Sequence, residues 1–159
     1  MTKNKKIEPD KGIITNRMDV GTDSFDEFQA ILLNKSKEKS IEQKRKVDLL
    51  AIKFRMEDYL KSEGQDIRLA GDFLKSYLKT LHIKQNKFAQ YIGLNPSNLS
   101  KLIGGDRPIN YELALILGNI FKTDPMLWIE IQAKNELKKL RKTRKNKYQN
   151  YSLNDLINE

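Results

Sequence analysis

The chain has 159 residues, 38% of them hydrophobic, and a formal net charge of +9. Such a length suits one domain, or a small domain with extensions, with a modest core that does not reach every segment. No stretch approaches the roughly 18 apolar residues of a membrane-crossing helix, the lack of cysteine excludes disulfides and thiolate metal sites, and the positive balance points to a polyanion, nucleic acid ahead of a membrane surface.

Residues 1–22 carry lysines, two glycines and a proline among few apolar side chains, a composition expected of a flexible arm. Lys3, Lys5 and Lys6 there are either phosphate contacts or an ordinary solvated terminus. No signal-peptide core is visible, so a cytoplasmic protein is expected.

A helical extension is expected over residues 23–64. Ser24 with Glu27 forms a capping box that opens a first helix to about Lys35, with Phe25, Phe28, Ile31 and Leu32 on one face. After a polar gap, Ser40 with Gln43 forms a second box. The helix it opens runs to about Ser62, and Gly64 is placed to end it. Its apolar residues fall into two stripes, Val47, Leu50 and Phe54 on one and Leu49, Ile52, Met56, Tyr59 and Leu60 on the other. A helix with two apolar stripes is covered on more than one side. Both core packing and a partner or dimer interface fit, the interface drawing on Val47, Leu50, Phe54, Met56 and Tyr59.

From Leu69 to about residue 142 the pattern is that of a compact all-α domain. Phe73, Leu74, Tyr77, Leu78 and Leu81 bury one helix face. His82, the sole histidine, can build neither a metal cluster nor a triad. The stretch QNKFAQYIGLNPSNLSK, residues 85–101, then has the form of two short helices crossing at a sharp turn. Ala89 is small enough for close approach, and Gly93 sits where a left-handed backbone ends the first helix. Leu94 and Leu99 plug the space beneath. Asn95 is placed to cap the second helix, with Pro96 at its first position.

Gly104-Gly105-Asp106-Arg107-Pro108 breaks the chain. Asn110 is a cap for a fourth helix burying Leu113, Ala114, Leu117, Ile120 and Phe121. Asp124-Pro125 opens a fifth, whose Trp128 and Ile131 close the core. Residues 143–159 form a basic tail, and the run KKLRKTRKNK at 138–147 is either a charged helix end or a source of phosphate contacts. Tyr148, Tyr151, Leu153, Leu156 and Ile157 suggest a short docking helix capped by Ser152.

In a helix–turn–helix the second helix enters the major groove and the first crosses the backbone. Residues expected at base edges are Pro96, Ser97, Asn98 and Lys101: Lys101 can donate to guanine, Asn98 and Ser97 can read edges, and Pro96 offers only apolar contact. Lys84, Gln85 and Arg107 are expected at phosphates. A lysine at a helix start opposes the helix dipole, a sign that a nearby phosphate would reverse. One such unit covers a half-site, so a homodimer on an inverted repeat of double-stranded DNA is expected.

Residues 71–140 resemble the lambda-repressor-like helix–turn–helix family and, within it, the HigA-type antitoxins, on GDFLKSYL, QNKFAQYIG, NPSNLSKLIGGDRPI and DPMLWIEIQAKNEL. The resemblance implies a five-helix domain, a small ribonuclease toxin as partner and repression of the protein's own operon, with Gln85, Ser97, Asn98 and Lys101 touching DNA. The family often has Ser or Thr where Lys84 and Asn95 stand. Two alternatives stay open: a stand-alone regulator without a toxin, and a helical adaptor that has lost specific DNA binding. An enzyme is not expected, because there is no His-Glu-x-x-His, phosphate loop or cysteine nucleophile, and Glu57 and Asp58 point apart on their helix. No cofactor or metal is expected.

Overall fold

The structure, a computed structural model, describes residues 23–157, and the regular elements of that span are all α-helices. The expected arm, residues 1–22, lies outside the described residues. Eight helices follow in order: α1 Asp23–Lys61, α2 Ala70–Thr80, α3 Gln85–Tyr91, α4 Pro96–Gly104, α5 Tyr111–Phe121, α6 Pro125–Thr143, α7 Lys145–Gln149 and α8 Leu153–Ile157.

The extension is one 39-residue helix and not two. Apolar periodicity lapses over residues 35–40, but Lys and Glu are strong helix formers and no Gly or Pro interrupts them. Ser40 and Gln43 therefore sit inside α1 and cap nothing. Ser24 falls just after the first helical residue.

Two compact units divide at residues 43 and 44. In the first, the described part is the start of α1, where Ile31, Leu32, Leu33 and Ile41 are exposed. The second unit begins at Lys44, earlier than the boundary expected after residue 64. The cause is the second α1 stripe: Ile52, Met56 and Tyr59 are buried in the core of this unit, with Leu49 and Leu60 packed against them. Met56 and Tyr59 are thus core residues and leave the expected interface, while Val47, Leu50 and Phe54 remain exposed.

The core of the second unit is aromatic at its centre. Tyr77 stacks on Phe121 at 4.4 Å between centroids, and Trp128 tilts against both. Trp128 and Tyr77 are fully buried. The indole N–H of Trp128 donates to Thr123 Oγ1 at 3.0 Å, so its one polar atom is satisfied. The Tyr77 hydroxyl has no hydrogen-bond partner among the described residues. Asn110 accepts from the Leu113 N–H at 2.8 Å and Asp124 from the Met126 N–H at 2.9 Å, as capping residues do.

The end of α1 is held by α6. Lys134 Nζ donates to the carbonyls of Tyr59, Leu60 and Ser62, and Lys138 Nζ to those of Gly64 and Asp66. Lys134 thus satisfies carbonyls that the end of α1 leaves open, and Lys138 those of the loop beyond it. Both also lie over the Tyr59 ring, at 4.8 and 5.3 Å from its centroid. Desolvation pushes the Lys134 ammonium below its usual range, helped by Lys138 and opposed by Glu63. Beside it, buried Asn135 accepts from the Tyr59 hydroxyl and donates to the Arg68 carbonyl at 2.8 Å.

At the C-terminal end, the expected short helix forms as α8, and Ser152 Oγ accepts from the Asp155 N–H at 3.2 Å. Docking is not seen: Tyr151, Leu153, Leu156 and Ile157 are all exposed.

Candidate nucleic-acid interface

The corner between α3 and α4 is built by backbone geometry. At the end of α3 the Leu94 N–H donates to the Ala89 carbonyl at 2.8 Å and the Gly93 N–H to the Gln90 carbonyl at 3.2 Å. This pair of bonds is a Schellman motif, and it places Gly93 at φ 71°. An added Cβ there would meet open space, so the glycine is required for its backbone angle alone. Ala89 and Leu99 are buried beneath the turn, and Leu94 is half-buried.

Pro96 begins α4 where a missing N–H is harmless. Asn95 occupies the capping position, but its side chain makes no capping bond, which corrects the expected Asn95 cap. Lys84 likewise precedes α3 without a side-chain cap.

The far end of α4 repeats the device of α3. The Asp106 N–H donates to the Lys101 carbonyl at 2.9 Å and the Gly105 N–H to the Leu102 carbonyl at 3.2 Å, with Gly105 at φ 81°. The Arg107 N–H also reaches the Lys101 carbonyl, at 3.2 Å. The backbone of Arg107 is thereby tied to the residue expected to read bases. Gln132 of α6 fixes the next segment: its Oε1 accepts from the Ile109 N–H at 2.7 Å and its Nε2 donates to the Ile109 carbonyl.

On α4, Leu99 and Leu102 face the core. Pro96, Ser97 and Lys101 are exposed, while Asn98 is half-buried at the flank. Ser100 is exposed too. Its spacing of three from Ser97 puts it on the outward face, a residue that reasoning from the sequence missed although the spacing was legible. Lys84, Gln85 and Arg107 are exposed at the start of α3 and just past α4. Among the described residues no group of His, Cys, Asp or Glu could hold a metal, and no helix is long and apolar enough to cross a membrane.

A five-helix unit, α2 to α6, built around this corner is a helix–turn–helix domain. Comparison with known proteins agrees at that level. The chain is 27% identical to YddM of Escherichia coli strain K12 over 73 residues, 46% of this chain and 78% of that protein. It is 32% identical to YbaQ of the same strain over 68 residues, 42% of this chain and 60% of that protein. Both are described as uncharacterized HTH-type transcriptional regulators. No family model matches the chain, and no solved structure matches it significantly.

Proposed function

We propose that the protein is a sequence-specific DNA-binding transcriptional repressor that places α4 in the major groove, and that it is the antitoxin of a toxin–antitoxin module, neutralising a ribonuclease toxin and repressing its own operon. The observation that supports DNA reading is the outward row Ser97, Ser100 and Lys101 on a helix whose opposite face is buried. In that pose Lys101 donates to a guanine edge and the serines read edges or bind phosphate. Pro96 and Asn98 flank them. Lys84, Gln85 and Arg107 hold the backbone and set the register. A homodimer supplies two such units to an inverted repeat.

Fluorescence anisotropy with DNA from the protein's own promoter, against a shuffled sequence, tests this reading. A preference of about a thousandfold or more is the scale of specific recognition. Equal, weak, steeply salt-dependent binding would leave only the basic charge at work.

The antitoxin part draws on the resemblance of residues 71–140 to HigA-type proteins and on the exposed α1 stripe of Val47, Leu50 and Phe54 as the toxin or dimer surface. Co-expression with the product of the neighbouring gene tests it. A tight complex with a small basic protein, lost in the V47E/L50K/F54E variant while promoter binding persists, is the expected result. With no such complex, a stand-alone regulator is the reading that remains.

A further inference from the structure

Arg107 is exposed, and among the described residues its guanidinium makes no hydrogen bond or ion pair. Three carboxylates share its clefts, Asp106 and Glu136 in one and Glu112 in the other, yet none pairs with it. The direction in which this side chain leaves the protein is therefore set by its backbone. That backbone is held at two points. The Arg107 N–H donates to the Lys101 carbonyl at 3.2 Å. Two residues on, Gln132 clasps Ile109: Oε1 accepts from its N–H at 2.7 Å, and Nε2 donates to its carbonyl at 3.4 Å. Pro108 alone lies between. Its ring fixes φ at about −65°, and it disfavours a helical conformation at Arg107. So stiff a link passes the position of Ile109 on to Arg107. α6 gives the clasp a firm platform, because Trp128 and Ile131, in the turn before Gln132, are fully buried.

We infer that Gln132 is a positioning residue for the phosphate contact of Arg107: by clasping Ile109 it fixes the segment that aims the guanidinium. The inference rests on the reading of the protein as a DNA binder with Arg107 at a phosphate, and deepens it by naming what holds that arginine in register. Without the clasp, both polar groups of Ile109 lose their partner in a part-buried setting and turn to water. Arg107 then moves with them, away from the place set by α4. The Ile109 side chain, buried in the core, is the competing anchor, and the experiment separates the two.

The test is anisotropy of the full chain on promoter and shuffled duplexes across a salt series, with wild type, Q132M, R107A and the double variant. Methionine keeps the length of glutamine and leaves the Ile109 side chain in place, so the two hydrogen bonds are what is lost. One lost phosphate contact lowers the steepness of log affinity against log salt by about 0.9. Raising salt from about 50 to about 200 mM should therefore cost Q132M about threefold less affinity than it costs wild type. The loss should be alike on both duplexes, and Q132M should change the slope no further once Arg107 is alanine. A residue that only braced the fold would lower the melting temperature and leave the slope alone. Slopes are read at temperatures where melts show each variant folded, and Q132N, one methylene short of the span, repeats the test should Q132M not fold. A wild-type slope in the Gln132 variant, or a further drop in the double variant, overturns the positioning role alone. A wild-type slope in R107A removes the phosphate contact itself, and the positioning role with it.

Discussion

Gly71 of α2 packs directly on the backbone of Ile103, in the last turn of α4. A methyl group on Gly71 would overlap the carbonyl oxygen and Cα of Ile103. Backbone cannot swing aside as a flexible side chain can, so one helix must shift. Gly71→Ala is expected to destabilise the fold by about 1–3 kcal/mol, the range of overpacked cores. It should also weaken promoter binding at temperatures where the variant is folded, because α4 itself is displaced. Thermal melts and anisotropy on the same sample check this. Gly64→Ala, whose added Cβ meets nothing within 4 Å, is the neutral comparison; equal effects of the two would refute the close approach.

Asn135 joins the Tyr59 hydroxyl to the Arg68 carbonyl. Replacing it with Leu keeps the branched shape and removes both bonds, leaving the buried Tyr59 hydroxyl with only a long contact of 3.4 Å to the Asp66 carbonyl. An unsatisfied buried polar group costs about 1–3 kcal/mol, so Asn135→Leu should lower stability by an amount in that range in urea titrations. A double variant with Tyr59→Phe should recover part of that loss, since one stranded group is gone. Additive losses would show that the two side chains are not coupled.

Tyr77 gives a pH-dependent prediction. Burial holds its phenol up at about 12, against an ordinary 10.0, with Arg55 pulling it down and Glu57 pushing it up. Between those values the folded chain keeps a proton that the unfolded chain releases. Stability is therefore unaffected by this ionisation below about pH 10 and falls by roughly 2–3 kcal/mol as pH rises through about 12. Tyr77→Phe should flatten the alkaline limb of the stability curve by that amount. At neutral pH it should be neutral or stabilising by about 1 kcal/mol, because the hydroxyl it removes has no partner. Chemical unfolding between pH 7 and 12 decides it, and superimposable alkaline limbs would contradict the raised pKa.

The division within α1 sets the outcome of truncation. Removing residues 1–43 should leave a cooperatively folding protein with promoter affinity within about threefold of the full chain, since the second compact unit starts at Lys44. Removing residues 1–64 also takes away Ile52, Met56 and Tyr59 from the core. Large-to-small changes at single core sites already cost about 2–5 kcal/mol, so this shorter chain should not fold. Circular dichroism melts of the two truncations distinguish these outcomes, and a stable 65–159 fragment would mean that α1 is dispensable.

The same helix shows where sequence reasoning stops. The five helices of the corner domain were legible because each has a local signal: Gly93 and Gly105 at turns, Asn110 and Asp124 as caps, and periodic apolar residues between them. The two stripes of α1 were also visible. Which one faces the core was not, because that depends on α6, more than seventy residues away, supplying Lys134 and Asn135 as partners. The lapse over residues 35–40 breaks the hydrophobic period but not the helix, because the Lys and Glu residues there are strong helix formers. At the site, the exposed positions of α4 follow from spacing, while the hold of Lys134 and Lys138 on the end of α1 follows only from the fold.

Lys101 and Arg107 offer the sharpest separation of reading from holding. Both are exposed, and the Arg107 backbone is tied to the Lys101 carbonyl, so neither substitution need disturb the turn. In the proposed pose, Lys101→Ala removes a donor to a guanine edge. It should cut the promoter preference by about 1–3 kcal/mol of discrimination while changing binding to shuffled DNA much less. Arg107→Ala removes the phosphate contact proposed for it, which should weaken both duplexes alike and lower the salt slope by about 0.9. Paired anisotropy titrations on promoter and shuffled DNA read both quantities at once. If Lys101→Ala weakens the two duplexes equally, its ammonium holds phosphate, and the reading must fall to Ser97, Asn98 and Ser100, whose substitutions would then carry the loss of preference.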